Sequence, residues 1–203
     1  MKLKQLDVSK LDFKKLGGLI PAIAQNAETG EVLTLAFMDE PALRKTIETG
    51  YMNYYSRTRK KLWKKGEESG NVQKALEVYP DCDSDTLLFM VEQAHDIACH
   101  DGTRNCFRTD RFSLERLFQI IKERRDNPKK LSLSYTSKLL KDKTLMREKI
   151  MEEAGEVVKA SVKEGMERII YEAGDLLYHL LVLLAGEGIE LREVIEELAR
   201  RRK

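Results

Sequence analysis

Only three cysteines occur in the 203 residues, Cys82, Cys99 and Cys106. So small and odd a number excludes a disulfide framework. Charge of one sign is also lacking. Lysine and arginine total 36 against 34 aspartates and glutamates, a net charge of +2. That balance argues against a nucleic-acid partner, and no acidic tail is present. No run approaches the about 18 apolar residues of a membrane span, and the amino terminus lacks an apolar signal-like stretch. The expectation is a cytoplasmic protein with no membrane partner, whose thiols stay reduced and open to a metal. Internal repeats and low-complexity segments are absent. What is present is 42% hydrophobic residues, enough for real cores, in a length that suits one large or two small domains.

The first hundred residues have the texture of strands. Ile20 to Asn26 and Val32 to Met38 are apolar runs joined by a glycine-containing turn, and Tyr51 to Ser56, Asn71 to Tyr79 and Thr86 to Gln93 are further candidates. Between them Asp39 reads as a helix N-cap, Pro41 as first-turn proline and Gly50 as the residue past the end. After Cys106 the apolar spacing turns helical. The first helix ends at Asp126-Asn127-Pro128, and later breaks fall at Lys141-Asp142, Gly165 and Gly186-Glu187-Gly188. The closing Arg200-Arg201-Arg202-Lys203 reads as a solvated helix end. The pattern predicts an α+β chain, a strand-rich domain over residues 1–110 followed by an all-α domain over 111–203.

The cysteines sit in acidic company, Asp81-Cys82-Asp83-Ser84-Asp85 and Cys99-His100-Asp101 leading to Cys106. Three thiolates suit a zinc site with an open fourth position, the arrangement a catalytic zinc uses to hold water. Asp81, Asp83 and Asp85 are hard oxygen ligands beside a soft one, which suggests a second, different cation. The plainer alternative is that each cysteine is a small apolar residue. A calcium loop is excluded because Thr86 stands where that loop needs glycine and Thr86 to Val91 reads as a buried strand.

In the helical half Glu152, Glu153 and Glu156 fall on about one third of a helix circumference, and Glu172, Asp175 and His179 share a face of the next helix. Two such helices can aim five carboxylates at one volume, as Mg²⁺ against a polyphosphate requires. A solvated face explains any one glutamate as well, but Glu172, Asp175 and His179 are interleaved with six leucines. In the strand half, Ser56 to Asn71 packs basic residues, glycines and one tryptophan together. Arg57, Arg59, Trp63, Lys65, Gly66, Ser69, Gly70 and Asn71 are the candidate binders of a phosphorylated small ligand.

The run Glu152-Glu153-x-x-Glu156 followed by Glu172-x-x-Asp175 resembles the all-α, MazG-like nucleotide pyrophosphohydrolases. With Ser134-Tyr135-Thr136-x-Lys138-Leu139-Leu140 it closely resembles phosphoribosyl-ATP pyrophosphohydrolase over residues 112–203. The basic stretch, with Gly18-Leu19-Ile20-Pro21-Ala22, Asp81 to Asp85 and Ala98-Cys99-His100-Asp101-Gly102, resembles phosphoribosyl-AMP cyclohydrolase over residues 16–108. Their pairing in this order resembles the bifunctional enzymes of histidine biosynthesis.

The resemblance implies two sequential hydrolyses. Phosphoribosyl-ATP is cut between its α and β phosphates, with Glu152, Glu153, Glu156, Glu172 and Asp175 holding Mg²⁺ or, as Glu153 and Glu156 are candidates to do, activating water. The ring of phosphoribosyl-AMP is then opened at N1–C6, with Zn²⁺ on Cys82, Cys99 and Cys106, Mg²⁺ on Asp81, Asp83 and Asp85, and His100 moving a proton. It further implies a homodimer whose zinc ligands come from both chains. His179 is either structural or substrate-touching. Met151, Gly174, Tyr55, Asp101 and Asn105 depart from the family pattern without removing a ligand. Two other readings stay open: a nucleotide-sanitising pyrophosphohydrolase with a structural zinc module, and a zinc-dependent nucleic-acid binder.

Overall fold

A computed structural model describes residues 1–109, 112–127 and 134–202. The chain divides into two compact units, Met1–Arg111 and Phe112–Lys203. The expected division between residues 110 and 111, the helix stop at Pro128 and the terminal Lys203 lie outside the described residues.

The first unit begins with three short 3-10 turns, Leu3–Gln5, Val8–Lys10 and Phe13–Lys15. Six strands follow: β1 (Ile20–Asn26), β2 (Val32–Met38), β3 (Asn53–Ser56), β4 (Lys61–Lys64), β5 (Gln73–Pro80) and β6 (Leu87–Gln93). They form one sheet in the order β4-β3-β2-β1-β6-β5, parallel only between β1 and β6. In β1 every second residue, Ile20, Ala22, Ala24 and Asn26, is buried, the period of a strand with one face on a core. Leu33, Met38, Tyr54, Leu87 and Phe89 complete that core, with Leu43 from α1 (Glu40–Thr49). Asp39 caps α1 by accepting from the Ala42 amide at 2.9 Å, and Gly50 closes it at φ 73°, both as the sequence predicts.

Strand β4 is a departure. Its residues, Lys61-Leu62-Trp63-Lys64, sit inside the basic stretch, where charge masks the strand pattern. As an edge strand it gains from that charge, which discourages pairing with another sheet. Trp63 also lies partly in the core, its ring 5.3 Å from that of Tyr54.

The second unit is all helical: α2 (Leu114–Asp126), α3 (Tyr135–Lys141), α4 (Lys143–Lys163), α5 (Met166–Glu187) and α6 (Leu191–Arg200). Ser113, Ser134 and Asp142 cap α2, α3 and α4 through their side chains. The core joins Phe118, Ile121, Leu139, Met146, Leu181, Val182 and Ala185. Helix α5 ends where the Gly186-Glu187-Gly188 break is expected: Glu187 is its last residue and Gly188, φ 73°, caps it. By length and composition alone α5 could cross a membrane, but Leu181, Val182 and Ala185 pack it into the bundle core and it carries Glu172, Asp175 and His179.

One glycine limits the first unit. Gly66 lies at φ 76°, and a Cβ there would stand 2.3 Å from the backbone carbon of Asn71. Gly66→Ala is therefore expected to cost about 2–4 kcal/mol, from left-handed strain plus overpacking. Gly50→Ala, with the same backbone sign but open space, is expected to cost about 1–2 kcal/mol. Urea unfolding of the two variants measures the difference.

Candidate metal and substrate sites

Three anionic clusters arise from the fold. The first is the segment after β6. Asn105 is buried and organises it: its Oδ1 accepts from the amides of Phe107 at 2.9 Å and Thr109 at 3.1 Å, and its Nδ2 donates to the Thr109 carbonyl and to Glu31. Arg104 pairs with Glu31 and, at 3.3 Å, with Asp96. The Cys106 amide donates to the Leu33 carbonyl at 2.8 Å, which fastens the segment to β2. These ties bring Cys99 and Thr34 close enough to the Cys106 thiol to act on its titration.

The two thiols then differ. The Asp101 amide lowers the pKa of Cys99, whereas burial raises that of Cys106. Cys106 is exposed as a residue, but its sulfur is turned toward Thr34 and Cys99, and the sulfur's surroundings govern its titration. Lys65 completes the neighbourhood: burial lowers its pKa, opposed by the charges of Cys106 and Cys99. The basic stretch and the cysteine pair thus share one site. His100 is exposed, with Nδ1 3.8 Å from the Cys99 sulfur and Nε2 3.1 Å from Asp101.

Asp81, Asp83 and Asp85 form the second cluster, each offering a carboxylate oxygen within 4.8 Å of the others. They occupy the turn between β5 and β6, where Asp81 Oδ1 accepts from the amides of Asp85 and Thr86 and Ser84 has φ 62°. A cation already stands there: Lys15 Nζ lies 2.6 Å from Asp83 Oδ2 and also pairs with Asp85. Cys82, in the same turn, is exposed, and among the described residues no three-ligand group includes it.

Of the remaining basic-stretch residues, Arg57 lies 4.0 Å over the Phe37 ring, Ser56 Oγ accepts from the Arg59 amide, and Ser69 Oγ accepts from the Asn71 amide. Gly66 and Gly70, φ 76° and 74°, fold the segment back on itself. Asn71 Oδ1 is 3.2 Å from His95, whose own φ of 57° and that of Asp96, 53°, are left-handed without glycine.

The third cluster lies on α4 and α5. Glu153, Glu172 and Asp175 bring carboxylate oxygens within 4.8 Å. Glu172 is 2% exposed; its Oε1 makes an ion pair with Arg168 but no hydrogen bond of good geometry. A buried carboxylate oxygen without a hydrogen bond suits a cation ligand. Burial raises the pKa of Glu153, with Asp175 and Glu172 adding to the shift and His179 opposing it. Glu152 and Glu156 stand outside this group, paired with Lys149 at 2.7 Å and Lys159 at 2.9 Å. His179 is buried with both nitrogens engaged: Nδ1 donates to the Asp175 carbonyl at 2.8 Å, so in the neutral ring Nε2 accepts from the Tyr135 hydroxyl at 3.2 Å.

Sequence reasoning missed Lys15, Glu31, Thr34, Tyr135 and Arg168. Arg168 alone had a local signal, four residues before Glu172 on one helix face. Lys15, Glu31 and Thr34 reach their partners across about seventy residues, a separation no spacing rule covers.

Comparison with known families agrees with this division. The phosphoribosyl-AMP cyclohydrolase family matches residues 34–108, and the phosphoribosyl-ATP pyrophosphohydrolase family matches residues 114–202. The chain is 48% identical to the histidine biosynthesis bifunctional protein HisIE of Aquifex aeolicus, over 96% of this chain and 99% of the relative. It is 45% identical to that of Pyrococcus furiosus over the whole of both chains, and 40% identical to that of Thermotoga maritima over 91% and 98%.

A raised Glu153 pKa carries a stability cost with a definite sign. The folded state holds that proton more tightly than the unfolded chain, so metal-free stability falls as pH rises from the ordinary glutamate value through the raised one. Glu153→Gln is therefore expected to make metal-free protein more stable at pH 7, by about 0.5–2 kcal/mol. The advantage should shrink toward pH 4. Calorimetry across pH measures it.

Proposed function

From the premise that the chain belongs to the bifunctional family of histidine biosynthesis, uniting phosphoribosyl-ATP pyrophosphohydrolase and phosphoribosyl-AMP cyclohydrolase activities, we propose how its residues divide the chemistry. The observation that carries the proposal is the presence of three separate anionic clusters, two of them in the unit that matches the cyclohydrolase family.

In the second unit, Glu153, Glu172 and Asp175 hold Mg²⁺, with Glu152 and Glu156 close by on α4. The ion supplies charge neutralisation for the phosphates of phosphoribosyl-ATP. Glu153 takes the proton of the water that attacks phosphorus as the α–β bond breaks and pyrophosphate leaves. Its position between Glu172 and His179, 4.0 Å from the latter, supports that role over Glu156, which Lys159 engages. His179 acts by orientation, fixing Tyr135 beside the cluster.

In the first unit, Cys99 and Cys106 hold Zn²⁺, which supplies Lewis acidity for water at neutral pH. Lys65, Arg57, Arg59 and the backbone of Gly66 to Asn71 hold the phosphate of phosphoribosyl-AMP, and Lys65 links that pocket to the thiols. His100 carries the proton of the water adding at C6 to N1 as the N1–C6 bond breaks; its exposure and its place beside Cys99 support this. Asp81, Asp83 and Asp85 hold Mg²⁺; Lys15 standing between two of them supports a cation there. Cys82 lies outside the Cys99–Cys106 pair, which supports a homodimer in which it serves the partner's zinc. Three free cysteines support a cytoplasmic location.

Incubation with phosphoribosyl-ATP, Mg²⁺ and Zn²⁺ tests the division. Pyrophosphate release and the ultraviolet change of ring opening should both appear. Cys99→Ala should lose only ring opening, accumulating phosphoribosyl-AMP, and Glu153→Ala should lose at least about 100-fold in pyrophosphate release. Loss of both signals in Cys99→Ala, with the fold intact, would contradict two separate sites.

A further inference from the structure

The amino-terminal 3-10 turns lie outside the residues that match the cyclohydrolase family, yet they end inside one of its anionic clusters. Leu6, Val8, Leu11 and Phe13 pack this strap against the sheet core, and the Asp12 amide donates to the Ser84 carbonyl at 2.8 Å. The last turn, capped by Asp12, delivers Lys15 to Asp83 and Asp85. No other cation is paired with Asp83 or Asp85 among the described ion pairs.

We propose that Lys15 is a tethered counter-cation that a divalent ion must displace from the Asp81–Asp83–Asp85 cluster. This rests on the reading of that cluster as a cation site. The geometry makes the two cations exclusive. The ammonium already lies 2.6 Å from Asp83 Oδ2 and is bonded to Asp85 Oδ2, so it engages two of the three carboxylates of the cluster. A divalent ion the size of magnesium bonds such oxygens at about 2.1 Å, which leaves it in contact with the ammonium. Lys15 is half exposed and flexible, so it can swing out into water without disturbing the strap's apolar anchors. Exposed ion pairs are individually weak. The lysine therefore lowers metal affinity without abolishing it. Without metal it neutralises part of a three-carboxylate cluster; with metal it is released, and cation binding is coupled to the strap.

The test uses zinc-loaded full-length protein carrying Glu172→Gln, which removes the proposed cation site of the second unit, with Mn²⁺ as a spin-active probe. Lys15→Met should bind Mn²⁺ about three- to tenfold more tightly than the Lys15 protein, and Lys15→Arg should bind no more tightly than it. In metal-free buffer Lys15→Met should melt lower, and saturating Mn²⁺ should raise its melting temperature by more. Equal or weaker binding in Lys15→Met would overturn the displacement and leave Lys15 as a supporting residue. Asp83→Asn separates the two readings. If it leaves Mn²⁺ binding unchanged in both backgrounds, the aspartates are not the cation site and both readings fall. If it abolishes binding while Lys15→Met changes nothing, only the displacement falls.

Discussion

Repulsion between like charges is the constraint around which both units are arranged. Carboxylates whose oxygens lie within 4.8 Å of one another repel, most strongly where burial keeps water from screening them. The fold gathers three at Asp81, Asp83 and Asp85 and three more at Glu153, Glu172 and Asp175. Where it does so, it supplies partial relief: Lys15 beside the aspartates, Arg168 on Glu172 in the helical unit. Neither lysine nor arginine brings two positive charges to one point, so each cluster remains short of neutrality. The remainder is the negative charge that the proposed divalent cations would offset.

Holding such clusters together requires a scaffold that does not yield. In the strand unit the rigid part is the β1–β6 pair and the partly buried Glu31–Arg104–Asn105 junction, which fastens the cysteine segment to the end of the β1–β2 hairpin. The Asn105 side chain makes four hydrogen bonds, to Glu31, Phe107 and Thr109, and so holds the cysteine segment together. In the helical unit the same task falls to the packing of α5 on α4 and α2 and to His179, whose Nδ1 is fixed by the Asp175 carbonyl of its own helix while Nε2 meets the Tyr135 hydroxyl of α3.

The sequence was most legible where the periodicity was strong. Strands β1 and β2 have the bounds that their apolar runs predict, and the caps of α1 follow from Asp39, Pro41 and Gly50. Helix faces also gave Glu153, Glu172 and Asp175, because i, i+3 spacing and an apolar background are local signals. Strand β4 was hidden by its lysines. Spacing on one helix could not show that Glu152 and Glu156 turn to Lys149 and Lys159. Lys15 and Glu31 were invisible for a different reason: their roles exist only after distant segments meet.

The central claim is that these anionic clusters are cation sites held ready by the fold. Differential scanning calorimetry of chelator-treated protein, with Zn²⁺ and Mg²⁺ added separately, tests it most directly. Each ion should raise melting through its own cluster by mass action. Asp83→Asn with Glu172→Gln should remove the Mg²⁺ effect and spare that of Zn²⁺, and Cys99→Ala should do the reverse. Melting that neither ion shifts, or shifts that survive these substitutions, would contradict the account.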